Sequence, residues 1–281
     1  MEQKSIHIIE TSIKLFAKKG FSSTSVQEIA DECGMSKGAF YLHFKSKDAL
    51  LLELFKYYVQ RIQNKLNEVQ AEHRDPRTTF TEQLRITLEE VAAHREFIIM
   101  QIREQAIPFN ENVEEFLTGM RFDSYLFYKR HLFAIYGDEL GDAAWEISLL
   151  LQGMFKSFMD LIIVENAPLD FGELSRAMLK RADYLIEGFQ KHHDAPVISE
   201  TTMNRIIPED FYQQEQDELH YMLRQLEEQA EGEWKETITV LLEELQKKEP
   251  RRVIVSSMLS RLEQHDAYRG TAAHIKFIYS M

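Results

Sequence analysis

Apolar residues near the start of the chain recur at helical spacing, and glycine and serine interrupt them at short intervals. The first run covers residues 6–17 and is followed by Gly20, a residue that commonly terminates helices. A second, shorter run follows Ser25. Glu28 stands three residues after that serine, which is the spacing of a capping box at a helix start. Because Gly34 closes this run, the pattern predicts a longer helix followed by a short one.

A third and a fourth helix follow directly. Ser36 can cap the third, which carries Phe40 and Phe44 on one side. Ser46 can cap the fourth, whose apolar positions continue at helical spacing to about residue 72. Two short helices that are joined by a tight turn and preceded by a longer helix form a helix-turn-helix unit. We therefore predict such a unit at the start of the chain, with a long helix leaving it.

The rest of the chain also follows helical spacing, and no strand-period run of any length interrupts it. Further helices are predicted at about 77–105, 110–135, 140–166 and 171–193. The stretch HHDAPVISETT at 192–202 is the best candidate for a linker, and the Leu, Met and Trp stripes beyond it predict more helices. The sequence therefore predicts an all-α fold divided into segments 1–47, 48–195 and 203–281.

The third predicted helix is short and polar, and Gly38 makes it less stable than alanine would by roughly 1 kcal/mol. In a helix-turn-helix the second short helix lies in the major groove of DNA. Gly38 would let the backbone approach a phosphate or a base edge, and Lys37 is the best candidate for a direct contact. Further side chains that could reach the flanking phosphates are those of Thr24, Ser25, Tyr41, His43 and Lys47.

Charge is distributed unevenly along the chain. The whole chain has a net charge of -13, with 33 Lys and Arg against 46 Asp and Glu. Residues 1–47 nevertheless carry seven lysines against five acidic residues, a net charge of +2. A positive head on an acidic chain indicates that only the head meets a polyanion such as DNA.

The stretch FAKKGFSSTSVQEIADECGMSKGAFYLHFKSKDALL closely resembles the signature of the TetR family of transcriptional regulators. The resemblance is strong over residues 5–55 and weaker, in length and helix number, to about residue 195. It implies a symmetric dimer with two DNA-reading heads on helical ligand-binding and dimerisation domains. Most such proteins repress until a small molecule releases them from the operator. The positions that match the family's DNA contacts are Thr24, Ser25, Ser36, Lys37, Gly38, Ala39, Tyr41, His43 and Lys47.

Aromatic residues and methionines are dense between positions 97 and 128, which suits a pocket for a small hydrophobic or amphipathic effector. The candidate ligand-binding residues are Phe97, Met100, Arg103, Phe116, Phe122 and Tyr125. Arg103 is the most informative, because a buried arginine needs an anionic partner, either Glu111 or Glu114 or a ligand carboxylate. The alternative is that these residues simply fill a core.

Two of the later predicted helices, at 140–166 and 171–193, are the candidate dimer faces. Residues expected at the interface are Gly153, Met154, Phe155, Phe158, Leu161, Leu185 and Phe189. Segment 203–281 departs from the common length of the family. It could pack as an extra helical subdomain on the core or recruit a partner protein, and the need to bury its stripes favours packing.

Enzyme signals are missing from the sequence, which has no phosphate-binding glycine loop, no HExxH and no cysteine–histidine metal spacing. We expect no catalytic residues, metal or cofactor. With one cysteine, no leader-like start and no membrane-spanning run, we expect a cytoplasmic protein. The sequence thus favours a homodimeric repressor that binds a double-stranded DNA operator. The alternative is a helical protein-interaction module whose head does not respond to a small molecule or no longer binds DNA.

Overall fold

The computed structural model describes residues 3–72, 75–95, 98–99, 111–247 and 249–279, and within these ranges the fold is helical with no strand. The helices, in chain order, are α1 (Gln3–Lys19), α2 (Val26–Glu32), α3 (Lys37–His43), α4 (Lys47–Ala71), α5 (Pro76–Ala93), α6 (Glu111–Tyr136), α7 (Ala144–Ile163), α8 (Phe171–His192), α9 (Glu200–Met203), α10 (Glu209–Gln229), α11 (Gly232–Leu245), α12 (Arg252–Leu262) and α13 (Asp266–Tyr279). The predicted all-α class is confirmed. Between the helices predicted at about 110–135 and 140–166 lies a short 3-10 helix, Gly137–Ala143, that leads directly into α7.

Local sequence signals place the first four helices where they were predicted. Ser25 caps α2, and the side chain of Glu28 accepts from the backbone N–H of Ser25, so both halves of the capping box are present. Gly34 makes the turn between α2 and α3 with a φ of 65°, which a residue with a side chain adopts only with strain. Ser36 caps α3 by accepting from the N–H of Ala39 at 3.2 Å.

The chain divides into two compact units. The first unit comprises residues 1–69, 83–120 and 155–175. Its core joins the apolar faces of α1 to α4, with Val113 from the start of α6. Phe40 is fully buried in this core and Phe44 nearly so, with ring centroids 5.9 Å apart. These two aromatic rings lie on one side of α3 and anchor it to the core, while residues on its other side are exposed.

Within the first unit, α4 and α5 are joined by a buried carboxylate. Glu90 of α5 accepts from Arg61 at 2.9 Å and from Lys65, both on α4. Burial raises the pKa of Glu90, but the hydrogen bonds from Lys65 and Arg61 outweigh it, and the pKa lies below its ordinary value. The carboxylate therefore stays charged at neutral pH and fixes the middle of the long helix α4.

The second unit comprises residues 70–82, 121–154 and 176–281, and it contains two apolar clusters. One gathers α6 and α7 residues, among them Phe122, Leu126 and Trp145, with Met203 and Ile207 from the segment around α9. The described members of the other come from α10 to α13 and the residues that join them, and they include the predicted stripes, for example Leu219, Leu241 and Leu259. The C-terminal helices therefore bury their apolar stripes mainly against one another. Each of these four helices faces the same small core, as in a helical bundle.

The turn between α11 and α12 is built on a second buried carboxylate. Glu244 accepts from the Arg251 backbone N–H at 2.8 Å, from the Arg251 guanidinium at 2.7 and 3.0 Å, and from Lys247 at 2.7 Å. These bonds hold the pKa of Glu244 well below its ordinary value.

None of the helices in the described part of the chain has both the length and the apolar character of a membrane span.

Candidate nucleic-acid interface

Helix α3 presents a polar, open surface. Ser36, Lys37, Gly38 and Tyr41 are exposed, while Ala39 and His43 are half-buried. The burial of Phe40 and Phe44 fixes which side of α3 faces the solvent, and the exposed residues lie on that side. The sequence-predicted contacts on α3 are therefore brought together on one surface.

The space around Gly38 would accommodate a side chain. A Cβ built on this residue would meet, among the described atoms, only Ser36 Oγ at 3.9 Å within a 4 Å radius. Packing inside the protein therefore does not require glycine at this position. The close approach of DNA backbone or bases to Gly38 stays a prediction.

Two of the predicted contacts have partners inside the protein. Thr24 is 1 % exposed, and its hydroxyl donates to the carbonyl of Gly20 at 2.7 Å. The Lys47 ammonium donates to the carbonyls of Phe21 at 2.7 Å and Thr24 at 2.8 Å. It also lies 4.4 Å from the centre of the Phe21 ring. Thr24 and Lys47 thus organise the connection between α1 and α2, and their part in DNA contact stays a prediction.

Ser25 keeps an exposed position at the start of α2, but its hydroxyl is hydrogen-bonded to Glu28 at 2.9 Å. Lys19 of α1 pairs with the same carboxylate at 2.6 Å. The Lys19 hydrogen bond, with those from Ser25, lowers the pKa of Glu28 to about 2. This small network links α1 to the start of α2 at the surface. A phosphate that approached Ser25 would therefore also lie close to the negative charge of Glu28.

Three residues of this surface were missed by the sequence reasoning. Leu42 is 87 % exposed on α3, and Lys45 is exposed just after it. An exposed leucine on a helix that enters the major groove can contact the methyl group of thymine. The spacing from Phe40 would have placed Leu42 on the outer face of α3.

The third residue, Ser5 of α1, lies with its Oγ 3.1 Å from His43 Nδ1. This contact links the end of α3 to the start of the chain.

Three of the six candidate ligand-binding residues are described, and all three lie on α6. Phe97, Met100 and Arg103 lie outside the described residues. Phe116 packs against the apolar core of the first unit, whereas Phe122 and Tyr125 belong to the cluster around Trp145 in the second. Phe122 is buried, with its ring 5.0 Å from that of Phe211 in an edge-to-face contact. The pocket itself therefore stays a prediction.

A surface groove of about 600 Å³ runs along α1 and α4, and its lining includes Lys56, Tyr57, Arg61 and Lys65. Two of its cations, Arg61 and Lys65, already pair with Glu90. The groove is open to solvent, and the aliphatic parts of these side chains make up most of its lining, so it would leave much of a bound effector exposed.

The candidate dimer residues differ in exposure. Gly153 and Leu161 are exposed, and apart from the adjoining backbone of its own helix no described atom lies within 4 Å of a Cβ built on Gly153. Met154, Phe158, Leu185 and Phe189 are half-buried. Phe155 is buried inside the protomer, so its side chain contributes packing within the chain rather than free surface.

The head matches a known protein family, and the whole chain has a similar relative. Residues 8–54 match the family model described as bacterial regulatory proteins, tetR family. The protein named "Uncharacterized HTH-type transcriptional regulator YuxN", from Bacillus subtilis (strain 168), is 30 % identical over 99 % of this chain and 98 % of its own length. The likeness to this relative thus includes the C-terminal helices.

Solved structures share the fold over a shorter span. A putative transcriptional regulator from Pseudomonas aeruginosa PAO1 has a TM-score of 0.59 at 16 % identity, over 68 % of this chain and 95 % of that one. The fatty acid degradation regulator FadR from Bacillus halodurans has a TM-score of 0.53 at 17 % identity, over 65 % and 95 %. These two structures are nearly fully covered while a third of this chain is not, so part of this chain has no counterpart in them.

Proposed function

The chain belongs to the TetR family of bacterial regulatory proteins and is a DNA-binding transcriptional regulator, and from that premise we propose how it acts. We propose that a dimer of this protein represses transcription by placing two copies of α3 in successive major grooves of an operator. A small amphipathic effector then releases it. The observation that carries the proposal is the open polar surface of α3, held outward by the buried Phe40 and Phe44.

Electrostatics supports the assignment of the head as the only DNA-binding part. The chain carries a net charge of -13, yet residues 1–47 are net positive. Phosphate contacts from lysines supply most of the sequence-independent affinity for DNA, and they make it fall steeply with salt. The acidic remainder repels the duplex, so the dimer would meet DNA through its two heads alone.

Release by an effector requires that a change in the helices after residue 47 alters the position of the head, residues 1–47. Helix α4 begins at Lys47, which is bonded to the α1–α2 connection, and its middle is held by Glu90 of α5. A tilt of α4 would therefore move the head and change the distance between two α3 helices, which must match a spacing of about 34–36 Å or a multiple of it. The effector does this only if its affinity for the two states differs.

Acyl compounds are the effector class to test first. The relative from Bacillus halodurans is a regulator of fatty acid degradation, and the sequence between 97 and 128 is rich in aromatic residues and methionine. We propose further that the protein acts in the cytoplasm and has no catalytic activity of its own.

The head is tested by operator binding. Genomic fragments that bind the pure dimer are selected in vitro, and a variant with Lys37→Ala and Tyr41→Ala is compared on the best fragment. We expect at least a tenfold loss of affinity with an unchanged melting temperature, because both side chains are exposed. Lys235→Ala, an exposed lysine of α11, is the matched control and should bind as the parent does.

Equal affinity of the double variant and the parent would refute the assignment of α3. A protein that selects no DNA fragment at all would favour the alternative, a helical protein-interaction module. The effector is tested separately by adding acyl coenzyme A thioesters and free fatty acids to the protein–DNA complex. Release by none of them would contradict the proposed effector class but leave the DNA-binding role in place.

A further inference from the structure

A lysine interrupts the apolar face of α6. Phe122, Leu126, Lys129 and Phe133 follow one another at helical spacing, and the three apolar members belong to the cluster around Trp145. The Lys129 side chain is only 10 % exposed, and its ammonium lies 4.3 Å from the centre of the Trp145 ring. A charge that is so deeply placed among apolar groups needs an anionic partner.

Residues 197–207, here named the strap, supply that partner. Glu200 accepts from the Lys129 ammonium at 2.6 Å, although the carboxylate itself is half-exposed. Met203 and Ile207 of the strap are buried in the same cluster as Trp145. The strap therefore brings one carboxylate and two apolar side chains to a buried cation within an apolar cluster.

The strap is also fastened at its start. The carboxylate of Glu146, on α7, accepts from the backbone N–H of Val197 and, at 3.1 Å, from that of Ile198. The strap is the segment through which the chain passes from α8 to the C-terminal helices. Its attachment adds to the contacts that Phe211 and Tyr212 of α10 make with the same cluster in holding those helices to α6 and α7 within the second unit.

One polar group at this place is not satisfied by the strap. The indole Nε1–H of Trp145 is buried and has no hydrogen-bond acceptor among the described residues. A buried donor without an acceptor is uncommon in folded proteins and calls for an explanation. A ligand with a second acceptor oxygen would provide one, because a carboxylate carries about four lone-pair sites.

We propose that Lys129, Trp145 and the apolar residues around them form a binding site for amphipathic carboxylates, which the strap occupies as an intramolecular stand-in. Glu200 takes the place of the ligand's headgroup, and Met203 and Ile207 take the place of its hydrocarbon chain. A free carboxylate binds by displacing the strap, and so loosens the C-terminal helices. This inference rests on the proposed function and adds to it the ligand's charge and a role for the C-terminal region.

The strap could instead be no more than an attachment for the C-terminal helices. The two possibilities differ in their response when the strap is weakened. An occupied ligand site gains affinity for a carboxylate once its internal competitor is removed, whereas a simple attachment gains none. The charge of the ligand gives a second distinction, because a neutral chain brings no opposite charge to the Lys129 ammonium.

The test uses the full chain with Trp234→Phe, so that Trp145 is the single tryptophan and its fluorescence reports on the site. The probe is dodecanoate below its micelle concentration, and no DNA is present. In the strap variant, Glu200→Gln with Met203→Ser, we expect dodecanoate to bind at least tenfold more tightly than in the parent. Glu209→Gln, an exposed carboxylate beyond the strap, is the matched control and should bind as the parent does.

Two further comparisons decide the result. Lys129→Met in the strap variant should remove the gain, and dodecan-1-ol should show no gain in any variant. Equal dodecanoate affinity in the parent and the strap variant, or an equal gain for the alcohol, would overturn the proposal. If Met203→Ser lowers the melting temperature below the assay range, Glu200→Gln alone and calorimetric titration with Trp234 retained give the same comparison. Since no DNA is used, failure here is separate from failure of operator binding.

Discussion

The ammonium of Lys47 lies 2.7 Å from the carbonyl oxygen of Phe21, so the first residue of α4 is bonded to the turn that follows α1. The same ammonium bonds the carbonyl of Thr24, just before α2. One side chain thus joins three helices of the head. Any movement of α4 must either carry α1 and α2 with it or break these bonds.

Replacing Lys47 by methionine should separate a structural role from a phosphate contact. We expect the melting temperature to fall, because hydrogen bonds to a charged group contribute about 1.5–3 kcal/mol. Operator affinity should also fall, but the slope of log affinity against log salt should stay the same. Lys37→Met should lower that slope by about 0.9 for each phosphate that the lysine neutralises in the parent. A slope change in Lys47→Met as large as in Lys37→Met would show that Lys47 contacts phosphate.

Gly38→Ala should change stability and DNA binding in opposite directions. The free energy of unfolding should rise by up to about 1 kcal/mol, because the site has room for a methyl group and alanine favours helix. Operator affinity should fall, since that methyl would stand on the surface that approaches DNA. Urea denaturation and fluorescence anisotropy measure the two effects. Gly270→Ala, in α13, is the control and should leave operator affinity unchanged; a Gly38→Ala variant that binds like the parent would contradict the close approach.

Leu42→Ala should weaken operator binding without weakening the fold. The side chain is almost fully exposed, so its loss removes little buried surface from the protein. If it contacts a thymine methyl, operator affinity should fall by about 1 kcal/mol or more while affinity for unrelated DNA stays the same. Val253→Ala, a similarly exposed apolar residue of α12, should change neither. A parallel loss on unrelated DNA would mean that Leu42 does not read sequence.

The sequence predicted the head well because its signals are local. Ser25, Glu28, Gly34 and Ser36 act on backbone groups within a few residues, so their roles follow from spacing alone. The partners of Lys47 could not be predicted in that way. They lie 23 to 26 residues earlier in the chain, and an ammonium is equally suited to a phosphate and to a carbonyl.

The C-terminal half illustrates the same limit. Helical stripes such as those of α10 and α11 predict that a face is buried but not which surface covers it. The stretch 192–202 looked like a linker because it is polar and contains Pro196. Its attachment through Glu146 and Lys129 depends on contacts across 52 and 71 residues, which no local pattern encodes.

The bonds of Glu244 predict how the C-terminal helices respond to acid. Its folded pKa is depressed below the ordinary value of 4.5, mainly by the hydrogen bonds from Arg251 and Lys247. The unfolded chain therefore binds a proton more readily than the folded one. The stabilisation is fully present above about pH 4.5 and is lost as the pH falls through the folded pKa. Glu244→Gln should lower the melting temperature at pH 7 and make it less sensitive to acid.

The neighbouring carboxylate provides the control for this prediction. Glu243 is exposed on the same helix, so Glu243→Gln makes the same change of charge without touching the α11–α12 turn. Thermal melts of both variants and the parent at pH 7, 5, 4 and 3 isolate the contribution of Glu244, because the other carboxylates are common to all three. The difference in melting temperature between the parent and Glu244→Gln should shrink below pH 4.5. Protonation of Glu244 in the parent weakens the same charged hydrogen bonds, from Arg251 and Lys247, that the substitution weakens in the variant. If both variants melt alike at every pH, the Glu244 network does not stabilise the C-terminal helices.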